Sequence, residues 1–159
     1  MTNPTLIEVT RGPLLESFHT GALAVVSATS GVLLSLGDTQ RAVYPRSAIK
    51  SLQALPLIES GAADHYGFGD AAIALACASH TGTTAHTEVA EAMLAAVGLT
   101  EADLGCGRHA PLGAKAAKEL WRSGGEPTQL HNNCSGKHAG MLATARHIGL
   151  PIEDYWRAN

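Results

Sequence analysis

The stretch Tyr44-Pro45-Arg46-Ser47-Ala48-Ile49-Lys50-Ser51 divides the chain into two kinds of sequence. Before it, Leu6–Arg11, Ser17–Ala28 and Val32–Leu36 are rich in Val and Leu and are separated by Gly12-Pro13 and Ser30-Gly31. They read as antiparallel strands, with Ala28-Thr29-Ser30-Gly31 as the turn of a hairpin. After Pro45 the apolar residues fall at helical spacing. Ile49, Leu52, Leu55 and Ile58 recur every three to four residues, with Pro56 expected to kink or shorten the helix. Further helices are expected over Asp70–Ala78, Thr84–Val97, Leu112–Arg122 and Lys137–His147, with a short turn of helix over Thr100–Leu104. Asp70–Ala78 is apolar all round and is expected wholly inside. Strands followed by a run of helices predict an α+β fold.

Composition narrows the function classes. The chain has 159 residues, 45% hydrophobic and 16% charged, with a formal net charge of −3. A length of this order buries roughly 70% of the unfolded surface in one domain. With no lysine or arginine block, nucleic acid is not an expected partner. No run of about 18 apolar residues exists to cross a membrane. Cys77, Cys106 and Cys134 are odd in number and widely spaced, against a disulfide framework. A start of Met1-Thr2-Asn3-Pro4-Thr5, without a basic and apolar leader, completes the expectation of a cytoplasmic protein.

Near the C-terminus, Gly149-Leu150-Pro151-Ile152-Glu153-Asp154 reads as a helix stop followed by a new helix, which would carry Tyr155 and Trp156. A helix that barely starts before Asn159 predicts that residues 1–159 are a single domain forming the N-terminal part of a longer chain.

Three polar strings interrupt this apolar background. Ser47 and Lys50, three apart at a helix start, lie on one face, where a neutral lysine can take the serine proton. A free lysine titrates at about 10.4, so this role asks for burial or a neighbouring cation such as Arg46. The same residues also read as a helix cap and a surface lysine. Ser79 stands at the end of an apolar helix, in Cys77-Ala78-Ser79-His80-Thr81-Gly82, with His80 as base or orienter, or both as caps of helix carbonyls. In Asn132-Asn133-Cys134-Ser135-Gly136-Lys137-His138, Cys134 and His138 are possible zinc ligands, with Cys106 and His109 a weak second pair. Equally, this string caps the helix from Lys137 or holds an anion on its exposed amides.

Arg46-Ser47-Ala48-Ile49-Lys50, Cys77-Ala78-Ser79-His80-Thr81-Gly82, Cys106-Gly107 with His109, and Asn132 through Met141 together resemble the L-asparaginase II family of the rhizobial type. The likeness runs from Ile7 to Trp156. It implies a fold like that of the serine β-lactamase and glutaminase group, hydrolysis of L-asparagine to aspartate and ammonia, and a homodimer as the full-length protein. Ser47 and Lys50 match one Ser-Lys tandem and Ser79 the serine of a second. Cys134 and Lys137 match zinc ligands. Arg46, His80, Asn133 and His138 are the expected substrate-binding residues. The lysine of the second tandem and a further cysteine ligand would lie beyond Asn159, and Arg108 stands where the family is expected to carry proline. In the expected mechanism Ser79 or Ser47 attacks the side-chain amide, with Lys50 as base towards Ser47.

Two other readings stay open. A β-lactamase-like acyl transferase also uses Ser-x-x-Lys, but its Ser-Asp-Asn and Lys-Thr-Gly elements are absent from these residues. A truncated, non-catalytic module that binds metal or a partner is the alternative outside enzymes.

Overall fold

The structure, a computed structural model, describes residues 2–157. The fold is α+β, and the chain divides after Tyr44 into two compact units, each described by itself.

The first unit is two antiparallel hairpins. β1 (Thr5–Arg11) pairs with β2 (Leu14–Thr20), and β3 (Leu23–Ser27) pairs with β4 (Gly31–Leu36), each pair a separate sheet. Gly12, at φ +61°, makes with Pro13 a two-residue turn that sets Arg11 opposite Leu14, so β2 begins earlier than expected. The single strand expected over Ser17–Ala28 is instead broken at Gly21-Ala22. Gly21 donates its N–H to the Pro4 carbonyl at 3.1 Å, and a Cβ there would lie 2.6 Å from Leu6 Cδ1. A larger residue would displace the Leu6 side chain, and there the chain leaves one sheet for the next. The second turn forms as expected, with Ser27 Oγ accepting the N–H groups of Thr29 and Ser30, both at 3.2 Å.

The second unit is helical. A 3₁₀ turn over Arg46–Ile49 leads into α1 (Lys50–Gln53), α2 (Leu55–Glu59) and α3 (Ala62–His65). Pro56 does not kink one helix but sits in the first turn of α2, where its missing N–H has no helical partner to lose. Then come α4 (Asp70–Cys77), α5 (Thr84–Ala96), a 3₁₀ turn over Glu101–Asp103, α6 (Ala114–Arg122) and α7 (Ser135–His147). The helix expected from Pro151 does not form. Glu153–Trp156 make turns, Asp154 is left-handed at φ +56°, and the Tyr155 hydroxyl is tied to Gly105 and His138.

The core of this unit gathers on α7. Ala139, Leu142 and Ala143 are fully enclosed, against Leu75 and Ala76 of α4, Ala90, Met93 and Leu94 of α5, and Leu57 of α2. Glycine brings the helices together. A Cβ on Gly136 would lie 2.6 Å from the Leu75 carbonyl oxygen, and one on Gly140 would lie 3.2 Å from Ala76 Cβ. α4 itself is not enclosed all round, because Ala71 and Ala74 stay exposed. A methyl group costs little in water, so an alanine-rich helix reads as more buried than it is.

Leu142→Ala should therefore destabilise the fold by about 2–5 kcal/mol. Urea denaturation checks this as a lowered midpoint at unchanged slope.

Candidate functional site

Ser47 and Lys50 enter the site through local geometry. Pro45 leads into the 3₁₀ turn, and Arg46 holds φ +50° although it is not glycine. That conformation costs a branched-off side chain on the order of 1–2 kcal/mol, and it presents the next residue, Ser47, at the surface. Lys50 opens α1 and points the other way, with 3% of its surface exposed.

Ser79 comes from the end of α4. Ala78 is extended (ψ 158°), so its carbonyl turns out of the helix instead of continuing the ladder. The Lys50 ammonium finds three acceptors for its three N–H groups: the Ala78 carbonyl at 2.6 Å, Ser79 Oγ at 2.9 Å and the Asn133 carbonyl at 3.3 Å. Ser79 Oγ in turn lies 2.8 Å from Ser47 Oγ and donates to it. The line is thus Ser47, Ser79, Lys50. This differs from the direct Lys50–Ser47 pairing expected from spacing, because two carbonyls from distant segments draw the amine to Ser79.

The other expected site residues fall into different places. Arg46 is exposed. Asn133 takes part through its backbone carbonyl, shared between Lys50 and the His80 N–H at 3.2 Å, while its side-chain oxygen accepts the Cys134 thiol at 3.6 Å. His80 is 3% exposed. Its Nδ1 accepts the Gly82 N–H at 3.2 Å, so the proton resides on Nε2 and is donated to Ser135 Oγ at 2.8 Å. Ser135 passes its own hydrogen to the Leu130 carbonyl at 3.0 Å. His138, 7% exposed, accepts at Nδ1 from the Tyr155 hydroxyl at 2.7 Å, and that hydroxyl takes the Gly105 N–H at 3.0 Å. His80 is therefore enclosed with both ring nitrogens bonded within the protein, and His138 is enclosed with its Nδ1 held by Tyr155. Asn132, not among the expected residues, accepts the Cys134 N–H at 2.9 Å and donates to the Cys106 carbonyl at 2.8 Å, holding the 106–107 loop to the start of α7. An Asn two residues before a helix cap was the only sign of it.

The family model described as L-asparaginase II matches residues 7–159. The chain belongs to the L-asparaginase II family. No curated protein matches it. Membership in this family makes an asparaginase-type amidohydrolase the class within which the Ser47–Ser79–Lys50 line is to be read. Among the described residues, no helix is long and apolar enough to cross a membrane.

The donors expected for zinc form a partial set. Cys134 caps α7 and Lys137 stands one turn on. Among the described residues, no group of three or more His, Cys, Asp and Glu is arranged to hold a metal. Burial pushes the nearby Cys106 thiol up to about 11. Two donors do not make a zinc site, which needs at least three from protein.

Burial first, and neighbouring cations second, lower both His80 and His138 from 6.5 to about 4. The fold prefers their neutral forms, so the unfolded chain takes up these protons first as pH falls. Their contribution to stability is full above about 6.5 and is lost towards about 4. Denaturation midpoints should fall across that window, and His138→Asn should flatten the slope.

Proposed function

We propose that this chain carries the nucleophile and base of an amidohydrolase that converts L-asparagine to L-aspartate and ammonia. The observation that carries this reading is the unbroken line from exposed Ser47 through Ser79 to the enclosed Lys50 amine. Family membership supplies the carboxamide substrate class.

Once the amine has released a proton to solvent, two N–H groups remain on the Ala78 and Asn133 carbonyls and its lone pair faces Ser79. The Ser79 hydroxyl turns from Ser47 to donate to it, while Ser47 donates to Ser79. The Ser79 proton passes to Lys50 as the Ser47 proton passes to Ser79. Ser47 Oγ then bonds to the side-chain amide carbon of asparagine. The proton returns along the same line to the amide nitrogen, the C–N bond breaks, and ammonia leaves an ester on Ser47. Water adds to that ester, giving aspartate and restoring the serine. Arg46, exposed and next in the chain to Ser47, is the proposed partner of the substrate carboxylate. Cys134 and Lys137 are proposed as two donors towards a zinc ion completed by residues outside those described, and none of these steps runs through it.

Ammonia release from asparagine by the complete protein tests the reading. Lys50→Met should lower kcat by about 10²–10⁴-fold, and Ser47→Ala by at least as much. Turnover by Lys50→Met within about tenfold of wild type sinks the base assignment.

A further inference from the structure

Lys50 reaches its serine only because two carbonyls from separate parts of the chain lie the right distance apart. One belongs to Ala78, just past α4, and the other to Asn133, just before α7. What fixes that distance is a set of bonds centred on the residue after Ser79. The His80 N–H meets the Asn133 carbonyl at 3.2 Å, and the His80 ring meets Ser135 Oγ at 2.8 Å, so residue 80 ties the loop after α4 to the start of α7 through both backbone and side chain.

We propose that His80 is a positioning residue, whose ring clasps Ser135 so that the Ala78 and Asn133 carbonyls aim the Lys50 amine at Ser79. The proposal deepens the amidohydrolase reading and rests on it for its kinetic consequence.

Each bond in the clasp has a defined direction. The Gly82 N–H occupies Nδ1, the proton sits on Nε2, and Ser135 relays to the Leu130 carbonyl, which leaves no polar atom of the set spare. The depressed pKa keeps the ring neutral at ordinary pH, and that neutrality is required, because a protonated Nδ1 would face the Gly82 N–H donor to donor. The charged and titratable groups acting on the ring are His86, stacked on it at 5.1 Å between centroids, then Lys50 and His131. Close packing beneath reinforces the bond. Gly136, next to Ser135, brings α7 so near α4 that a Cβ would lie 2.5 Å from Leu75 Cγ. The imidazole thus has no free nitrogen with which to act as a base, and its position in the chain puts it one peptide unit from Ser79, whose hydroxyl relays the proton.

The test compares the full chain with His80→Gln, His80→Ala, Ser135→Ala and the His80→Ala/Ser135→Ala pair. Glutamine puts an amide N–H near the place of Nε2–H. His80→Ala and Ser135→Ala should each lower kcat for asparagine about tenfold or more with KM changed less than about twofold, and the double variant should be no slower than the worse single one. His80→Gln should recover most of the loss. Wild-type kcat in folded His80→Ala overturns the proposal, as does a folded His80→Gln that is as slow as the alanine variant. Should the wild-type complete protein release no ammonia, the amidohydrolase reading fails and nitrogen NMR decides the clasp alone. Ser135→Ala should then abolish the slowly exchanging His80 Nε2–H signal and move the Lys50 side-chain resonance. An unmoved Lys50 resonance overturns it.

Discussion

The helical unit is organised around one enclosed amine. Lys50 is almost without contact with water, and an ammonium in that position is tolerable only if each of its three hydrogens finds an acceptor. It finds them in two main-chain carbonyls and one serine hydroxyl. Charge-assisted bonds of this kind each contribute about 1.5–3 kcal/mol. The requirement reaches far along the chain. It asks α4 to end with its carbonyl turned outward at Ala78, and it asks the segment before α7 to come within bonding distance of that end.

That approach is made by small residues. Gly136 and Gly140 remove the side chains that would hold α7 off α4 and α2, and Ala139 and Ala143 extend the same narrow face. The hydrophobic core and the polar site are thereby one piece of packing. Leu142, Leu57 and Leu94 fill the space that the glycines let close, and the carbonyls that grip Lys50 lie at the ends of the helices those leucines hold together.

Much of this was legible in the residues, and what was not has a common cause. Ser47, Lys50 and Ser79 stand out by spacing and by the apolar helix that precedes Ser79, and those three meet in space. Their order of contact could not be read, because it turns on the direction of two backbone carbonyls, which no side-chain identity encodes. Asn133, expected to bind substrate, contributes its carbonyl to Lys50. The role of His80 depends on Ser135, 55 residues further on. Local signals also yielded to tertiary bonds. Pro151, Glu153 and Asp154 have the composition of a helix start, yet the Tyr155 hydroxyl takes partners on His138 and Gly105 that a helix there does not supply. In the first unit the break was written at Gly21, but Phe18 and Thr20 before it and the Leu23–Val26 run after it concealed it.

The left-handed turn at Arg46 bears on how this chain can change over time. Glycine would relax that backbone at once, yet it would also remove the cation beside the serine and slacken the main chain that carries it. A more robust protein and a better-poised hydroxyl thus pull on the same codon in opposite directions. Position 46 is where selection for durability and selection for turnover would come into conflict.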